Sequence, residues 1–286
     1  MNIAVLGTGL MGQALVEHLL NENQQITVFN RSAEKAEKLV KLGAQLATTA
    51  QAALIASDFC ILMLSDASAI DQVLNSISAE SFNNKTIIQM GTIAPEESRQ
   101  LARRITDAGG RYLECPVLGS LPEARTGTLI LMAAGNEEVY QSTLPLLKLM
   151  GKDPQYIGNT GQGATVKLAM NQLIAGLTAS FALSLALVEK EGIHTEQFMK
   201  IVRNSALYAP TFDKKIDRML ARDFSNPNFP TKHLAKDTQL FLEVAKQLGL
   251  ETCALQGISQ LLDITLSQGL EDTDYSALFS GVTEKH

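Results

Sequence analysis

Residues 7–12 read Gly-Thr-Gly-Leu-Met-Gly, directly after the apolar run Ile3–Leu6 and directly before a helical pattern. Glycines at that spacing, between a strand and a helix, bring main chain close to a pyrophosphate. Gly7 permits the tight turn, Gly9 lets the backbone approach, and Gly12 allows close packing of helix on strand. The helix N-terminus then offers free N–H groups and a positive dipole end to the phosphates. Met11, Ala14, Leu15, His18 and Leu19 recur at i, i+3, i+4, i+7 and i+8, which predicts one apolar helix face. His18 on that face reads as a packed structural histidine. The chain therefore opens on a dinucleotide-binding βαβ unit.

The end of the second strand selects between nicotinamide cofactors. A site built for NAD places a carboxylate there to accept from the ribose hydroxyls. This chain has Phe29-Asn30-Arg31-Ser32 instead. Neutral Asn30 does not repel a 2′-phosphate, Arg31 offers it a planar cationic fork, and Ser32 adds a hydroxyl or caps the next helix. The expected cofactor is NADPH/NADP+. A solvated surface role is the plainer alternative for Arg31.

The first half alternates apolar runs (3–6, 26–29, 59–64, 86–90, 111–114 and 129–133) with helical patterns at 32–42 and 95–108. Such alternation predicts a parallel sheet with helices on both faces. After Gly158 helical stretches dominate, at 164–191, 195–204, 238–248 and 253–268. The expected fold class is α/β: an N-terminal Rossmann domain over residues 1–160, then an all-helical domain over 161–286.

A net charge of −6 among 286 residues, with no Lys/Arg run longer than two, argues against a nucleic-acid or anionic-membrane partner. Cys60, Cys115 and Cys253 are far apart and read as small core residues in a reducing cytoplasm. No His, Cys and carboxylate grouping has metal-ligand spacing, so no metal is expected. Residues 1–6 run straight into a strand pattern, so no signal peptide is expected, and no targeting address is expected from residues 283–286. Residues 168–188 lack charge for a membrane-spanning length, but Asn171, Gln172, Thr178, Ser180 and Ser184 interrupt them. They read as a helix buried on all sides. A small helical domain could hardly bury it alone, which implies a homodimer or higher homo-oligomer.

Residues 158–171 read GNTGQGATVKLAMN. Gly158, Gly161 and Gly163 suggest a flexible joint before this helix. Lys167 is the one charge between Gly163 and Glu189, and Asn171, four residues on, shares its face. A lysine on such a helix is either functional or snorkels to solvent near the helix start.

The motifs in their order, GTGLMG, ECPVLGS at 114–120, GQGATVKLAMN at 161–171 and KHLAKD at 232–237, resemble the β-hydroxyacid dehydrogenases, relatives of 6-phosphogluconate and 3-hydroxyisobutyrate dehydrogenases. The resemblance spans nearly the whole chain. It implies a 6-phosphogluconate dehydrogenase-like architecture with an active site in the cleft between the domains, and residues 161–286 as the substrate and dimerisation domain. Lys167 then matches the proton donor or acceptor, and Asn171 the asparagine that helps hold the substrate. Lys236 matches a cofactor-side lysine and Asp237 a carboxylate near the active site. The cofactor set becomes Gly7, Gly9, Leu10, Met11, Gly12, Asn30, Arg31 and Ser32, with Met63, Leu64, Thr92 and Lys236. The substrate set becomes Thr92, Leu118, Gly119, Ser120, Phe229 and Asp237.

Within the family, Asn30-Arg31, Ser120 and the run Phe229–His233 are most similar to glyoxylate and succinic semialdehyde reductases. The implied activity is NADPH-dependent reduction of a small carboxylate-bearing aldehyde, with Lys167 as general acid. Two departures stand out. Leu118 removes a hydroxyl expected at the substrate carboxylate, leaving the N–H groups of Gly119 and Ser120 as a possible anion nest. Met90-Gly91-Thr92 replaces the usual Ser-Thr pair. The alternatives are an NADPH-dependent imine reductase, most of which lack the lysine kept as Lys167, and a non-catalytic NADPH-binding regulatory protein.

Overall fold

A computed structural model describes residues 1–283; the expectation for the C-terminal tail at 284–286 lies outside the described residues. The chain forms two compact units, the first ending at Lys167 and the second starting at Leu168.

In the first unit the strands are β1 (Asn2–Leu6), β2 (Gln25–Phe29), β3 (Gln45–Leu46), β4 (Phe59–Leu62), β5 (Thr86–Gln89), β6 (Arg111–Glu114), β7 (Val117–Leu118), β8 (Ile130–Gly135) and β9 (Gln155–Gly158). The sheet order is β3-β2-β1-β4-β5-β6-β8-β7, with β9 also on β8. Strands β3 through β6 are parallel, but β8 runs antiparallel to both β6 and β7. The expected all-parallel sheet is thus corrected to a mixed one. The connection from β6 to β8 is taken up by β7 and one helical turn, so no crossover helix carries the chain back for a parallel strand.

The helices here are α1 (Leu10–Asn21), α2 (Glu37–Lys41), α3 (Ala50–Ile55), α4 (Ala67–Leu74), α5 (Pro95–Asp107), α6 (Leu121–Arg125) and α7 (Glu137–Met150). Alternate residues of β1 face opposite ways, as the pleat requires. Ile3 and Val5 join a core with Leu15 and Leu19 of α1 and Leu146 and Leu147 of α7. Ala4 and Leu6 join another with Leu54 of α3, Leu74 of α4 and Leu101 of α5. Each fully buried aliphatic side chain contributes about 1.5–3 kcal/mol. Helix α7 escapes the periodicity reading because Pro145 stands inside it.

Helix α8 (Gln162–Lys190) crosses the boundary into the second unit, which continues with α9 (Thr195–Arg203), α10 (Pro210–Ala221), α11 (Thr231–Gln247), α12 (Cys253–Ser267) and α13 (Leu278–Thr283). Ala175, Ala179, Phe181, Ala182 and Leu185 of α8 pack with Met199, Phe212, Leu234, Leu262 and Phe279. Helix α11 begins after Pro230, well before the expected Thr238, so KHLAKD is helical throughout. Near its start, Lys215 and Asp274 form a buried ion pair at 2.8 Å.

Helix α8 has the length and hydropathy of a spanning segment, and within a single chain it is buried on one face only, the case in which a partner subunit is expected to cover the rest. Leu173, Leu177, Leu183 and Leu187 are 51, 38, 62 and 63% exposed, because the helices after Leu168 pack against one face of α8. One expectation fails in this unit: Cys253 is exposed, unlike Cys60 and Cys115. It opens α12, where its Sγ contacts the Glu251 carboxylate rather than a core.

Candidate active site

The sheet order reverses between β1 and β4: the chain leaves β1 outward through β2 and β3, then returns to the other side of β1. Ligands of open α/β sheets bind at the C-terminal strand ends beside such a switch point. Gly7, Asn30 and Met63 all follow strands that meet there.

The glycines of the loop differ in what holds them. Gly7 has φ +105°, and a Cβ there would run into the Met63 carbonyl. A Cβ on Gly12 would strike the Gly7 carbonyl. Gly9 is different, since nothing lies within 4 Å of where its Cβ would stand. The protein's own packing does not require glycine at 9; a ligand brought against the main chain does. Gly9 also caps α1 without a side-chain acceptor, so the N–H groups of Leu10, Met11 and Gly12 face the same space. The Thr8 hydroxyl beneath is buried without a hydrogen-bond partner among the described residues. This cradle fits a dinucleotide pyrophosphate.

Asn30 does more than lack a charge. Its Oδ1 accepts from the Thr8 N–H (3.1 Å) and its Nδ2 donates to the Ser32 carbonyl (2.9 Å). The amide therefore ties the glycine loop to the Arg31 loop, and an aspartate would lose the second bond. Gln13 braces the loop too, donating to the Thr8 and Lys35 carbonyls. Arg31 and Ser32 are exposed beside these anchors. At the neighbouring strand ends, Met63 and Leu64 are half-buried. Gly91 is explained by Leu64: a Cβ at 91 would collide with the Leu64 carbonyl. Thr92, half-buried, follows that close approach.

Lys167 is 9% exposed near the start of α8. Beneath it lies a residue whose role the sequence did not reveal. Glu114, 2% exposed at the end of β6, accepts through Oε1 from the N–H groups of Gly161 (2.8 Å), Gly163 (2.7 Å) and Ala164 (3.3 Å). Ser98 Oγ donates to its other oxygen. Burial pushes the Glu114 carboxyl up from the usual range, against the pull of Ser98 and those backbone donors. The glycines expected to form a flexible joint are corrected accordingly: Gly161 and Gly163 let a buried carboxylate close on the helix start. Spacing could not announce this, since 47 residues separate Glu114 from Gly161.

In the helical unit, Asn171 and Asp237 are 1 and 2% exposed, and Asn171 Nδ2 donates to Asp237 Oδ2 at 2.5 Å. Asp237 Oδ1 lies 2.8 Å from Lys236 Nζ. Asn171 Oδ1 is buried with no hydrogen-bond partner among the described residues, an acceptor left for a ligand. Phe229 stacks on His233 at 6.4 Å. Burial, then the Lys236 ammonium, hold the His233 pKa below its ordinary value.

The loop after β6 departs from expectation. Ser120 caps α6, and both its N–H (2.8 Å) and its Oγ (2.6 Å) donate to the Glu123 carboxylate. Of the anion nest expected at Gly119 and Ser120, the Ser120 N–H is therefore taken by the chain's own acid. Ser120-Leu121-Pro122-Glu123 spells the Ser-x-x-Glu capping box, so this signal was present in the sequence. Leu118 is half-buried in β7, and Gly119 is exposed at φ +137°. Among the described residues no group of three or more His, Cys, Asp or Glu side chains could hold a metal ion.

Residues 2–160 match the family described as the NAD binding domain of 6-phosphogluconate dehydrogenase. Residues 161–281 match the NAD-binding domain of NADP-dependent 3-hydroxyisobutyrate dehydrogenase. A glyoxylate/succinic semialdehyde reductase 2 of Arabidopsis thaliana is 31% identical over 98% of this chain and 79% of its own length. The 2-hydroxy-3-oxopropionate reductase of Escherichia coli is 33% identical over 95% of this chain and 97% of its own. The fold is similar to that of a 3-hydroxyisobutyrate dehydrogenase of Mycobacterium tuberculosis, with TM-score 0.88 at 20% identity and 99% of each chain covered.

Proposed function

Because this chain belongs to the β-hydroxyacid dehydrogenase family of NAD(P)-dependent oxidoreductases, we propose that it reduces a small carboxylate-bearing aldehyde to the hydroxy acid with NADPH. Succinic semialdehyde, glyoxylate and tartronate semialdehyde are the substrates to which this reading leads. The observation that carries it is a buried lysine, Lys167, one helical turn before a buried asparagine with a free acceptor oxygen.

A bound reduced nicotinamide supplies the hydride. Lys167, as an ammonium, hydrogen-bonds the carbonyl oxygen, stabilises the charge that develops as the C=O π bond breaks, and gives that oxygen its proton. The neutral amine then regains a proton from solvent. Asn171 holds the substrate, itself oriented by Asp237. Exposed Arg31 recognises the 2′-phosphate, and the absence of a carboxylate at 30 removes the feature that selects NADH. Since Glu123 fills the amide of Ser120, the substrate carboxylate takes its partners elsewhere than that amide. The exposed leucines of α8 are the proposed contact with a second copy, and the cytoplasm is the proposed compartment, where the free cysteines stay reduced.

The test is NADPH oxidation with succinic semialdehyde, glyoxylate, tartronate semialdehyde, an aldehyde without a carboxylate, and a cyclic imine. Turnover with an aldehyde acid, lost about 10²–10⁴-fold in Lys167→Ala with NADPH binding intact, supports the reading. Turnover with the imine alone, or near-wild-type turnover in Lys167→Ala, overturns it.

A further inference from the structure

Lys167 stands on a helix turn that one carboxylate grips from below. Gly163 and Ala164, whose N–H groups bind Glu114, precede Lys167 by four and three residues and so share its helix face. A helical side chain leans back over the turn before it, so the turn bound by Glu114 sets where the Lys167 side chain stands. The grip is tight on every side. A Cβ on Gly163 would lie 2.6 Å from the Met132 carbonyl oxygen and 3.1 Å from Glu114 Oε1, and one on Gly161 would lie 2.8 Å from the Arg99 guanidinium. Ser98 from α5 also shares a 2.8 Å hydrogen bond with the Tyr112 hydroxyl. Glu114 thus joins three elements, β6, α5 and the head of α8, through a carboxylate closed off from water.

We infer that Glu114 is a positioning residue for the reaction: its carboxylate locks the first turn of α8 to β6 and α5 and so fixes the place of Lys167. This rests on the reading of Lys167 as proton donor. A helix cap acts on stability alone, whereas a lock on the donor acts on turnover. Misplacing a reacting group by about 1 Å from a distance can lower the rate about 10²-fold.

The test uses the full chain as wild type, Glu114→Ala, Glu114→Gln, Ser98→Ala and Lys167→Ala. Steady-state kcat and KM are measured per site titrated with NADPH, with hydrogen exchange over residues 159–167. The expected result is a kcat lowered about 10²-fold in Glu114→Ala with KM for NADPH nearly unchanged. Glu114→Gln, whose amide oxygen still accepts from the backbone N–H groups, recovers most of that loss. Exchange at residues 161–164 rises in the same order as kcat falls. Wild-type kcat in Glu114→Ala, even with a lower Tm, overturns the inference, and so does a Glu114→Gln no better than Glu114→Ala. Should Glu114→Ala not fold, Ser98→Ala decides: faster exchange with lowered kcat supports the lock, and wild-type values in both overturn it. An active Lys167→Ala removes the premise and overturns both readings, whereas an inactive Lys167→Ala beside a fully active Glu114→Ala overturns this one alone.

Discussion

At the scale of single residues, Gly9 and Gly12 look alike in the sequence and differ in what surrounds them. A methyl group at 12 meets the Gly7 carbonyl, whereas one at 9 meets open space. Gly12→Ala is therefore expected to destabilise the fold by about 1–3 kcal/mol through overpacking. Gly9→Ala is expected to change stability by less than about 1 kcal/mol while weakening NADPH binding at least about tenfold, since the methyl stands where the pyrophosphate approaches. Arg31→Ala belongs in the same series: it should weaken NADPH by about 1.5–3 kcal/mol, the range for a hydrogen bond to a charged group, and leave NADH unchanged. Thermal melts and fluorescence titrations with both cofactors read all three. A Gly9→Ala protein that binds NADPH normally would remove the assignment of that loop. The residue types of the cradle were legible because a short loop carries its own instructions. Asn30 was legible only in part. Its neutrality shows in the sequence, but its two hydrogen bonds depend on Thr8, 22 positions away.

At the scale of elements, the start of α11 is held by a buried charge pair from α10 and the segment before α13. Lys215 Nζ lies 2.8 Å from both oxygens of Asp274, which also accepts from the N–H and Oγ of Ser276. Burial alone would raise the Asp274 carboxyl; the Lys215 ammonium and the Ser276 donors outweigh it and hold the group below the usual carboxylate range. A depressed folded-state pKa contributes stability that is present above the unfolded value of about 4 and is lost as pH falls through the folded value. Lys215→Met leaves Asp274 without its cation, so a loss of about 3–5 kcal/mol is expected at pH 7, shrinking as pH falls and the lone carboxyl takes up a proton. Urea denaturation of wild type and variant from pH 7 to pH 3 measures both. A stability difference that stays constant over that range would show that Lys215 is not what holds Asp274 ionised. Neither residue drew attention in the sequence, because 59 positions separate them and each alone reads as a surface charge.

At the scale of the whole molecule, one helix carries two apolar faces. Phe181, Ala182, Leu185 and Ala186 of α8 lie in the core of the helical unit, while Leu173, Leu177, Leu183 and Leu187 face outward. Burying each exposed leucine in an interface is worth up to about 1.5–3 kcal/mol, and contiguous apolar patches of this kind mark interaction surfaces. A homodimer is expected by light scattering, and Leu177→Asp with Leu183→Asp is expected to halve its mass without unfolding the chain. A wild-type monomer at micromolar concentration would refute the proposed contact. The sequence by itself determined the nucleotide cradle and the succession of a Rossmann unit by a helical one, because turn chemistry and apolar periodicity act over a few residues. Tertiary structure alone decided the antiparallel return of β8, which face of α8 turns outward, and the grip of Glu114 on the turn beneath Lys167. Each of these depends on which distant segments share a neighbourhood once the core has formed. A buried polar group takes whatever partner that packing brings within reach.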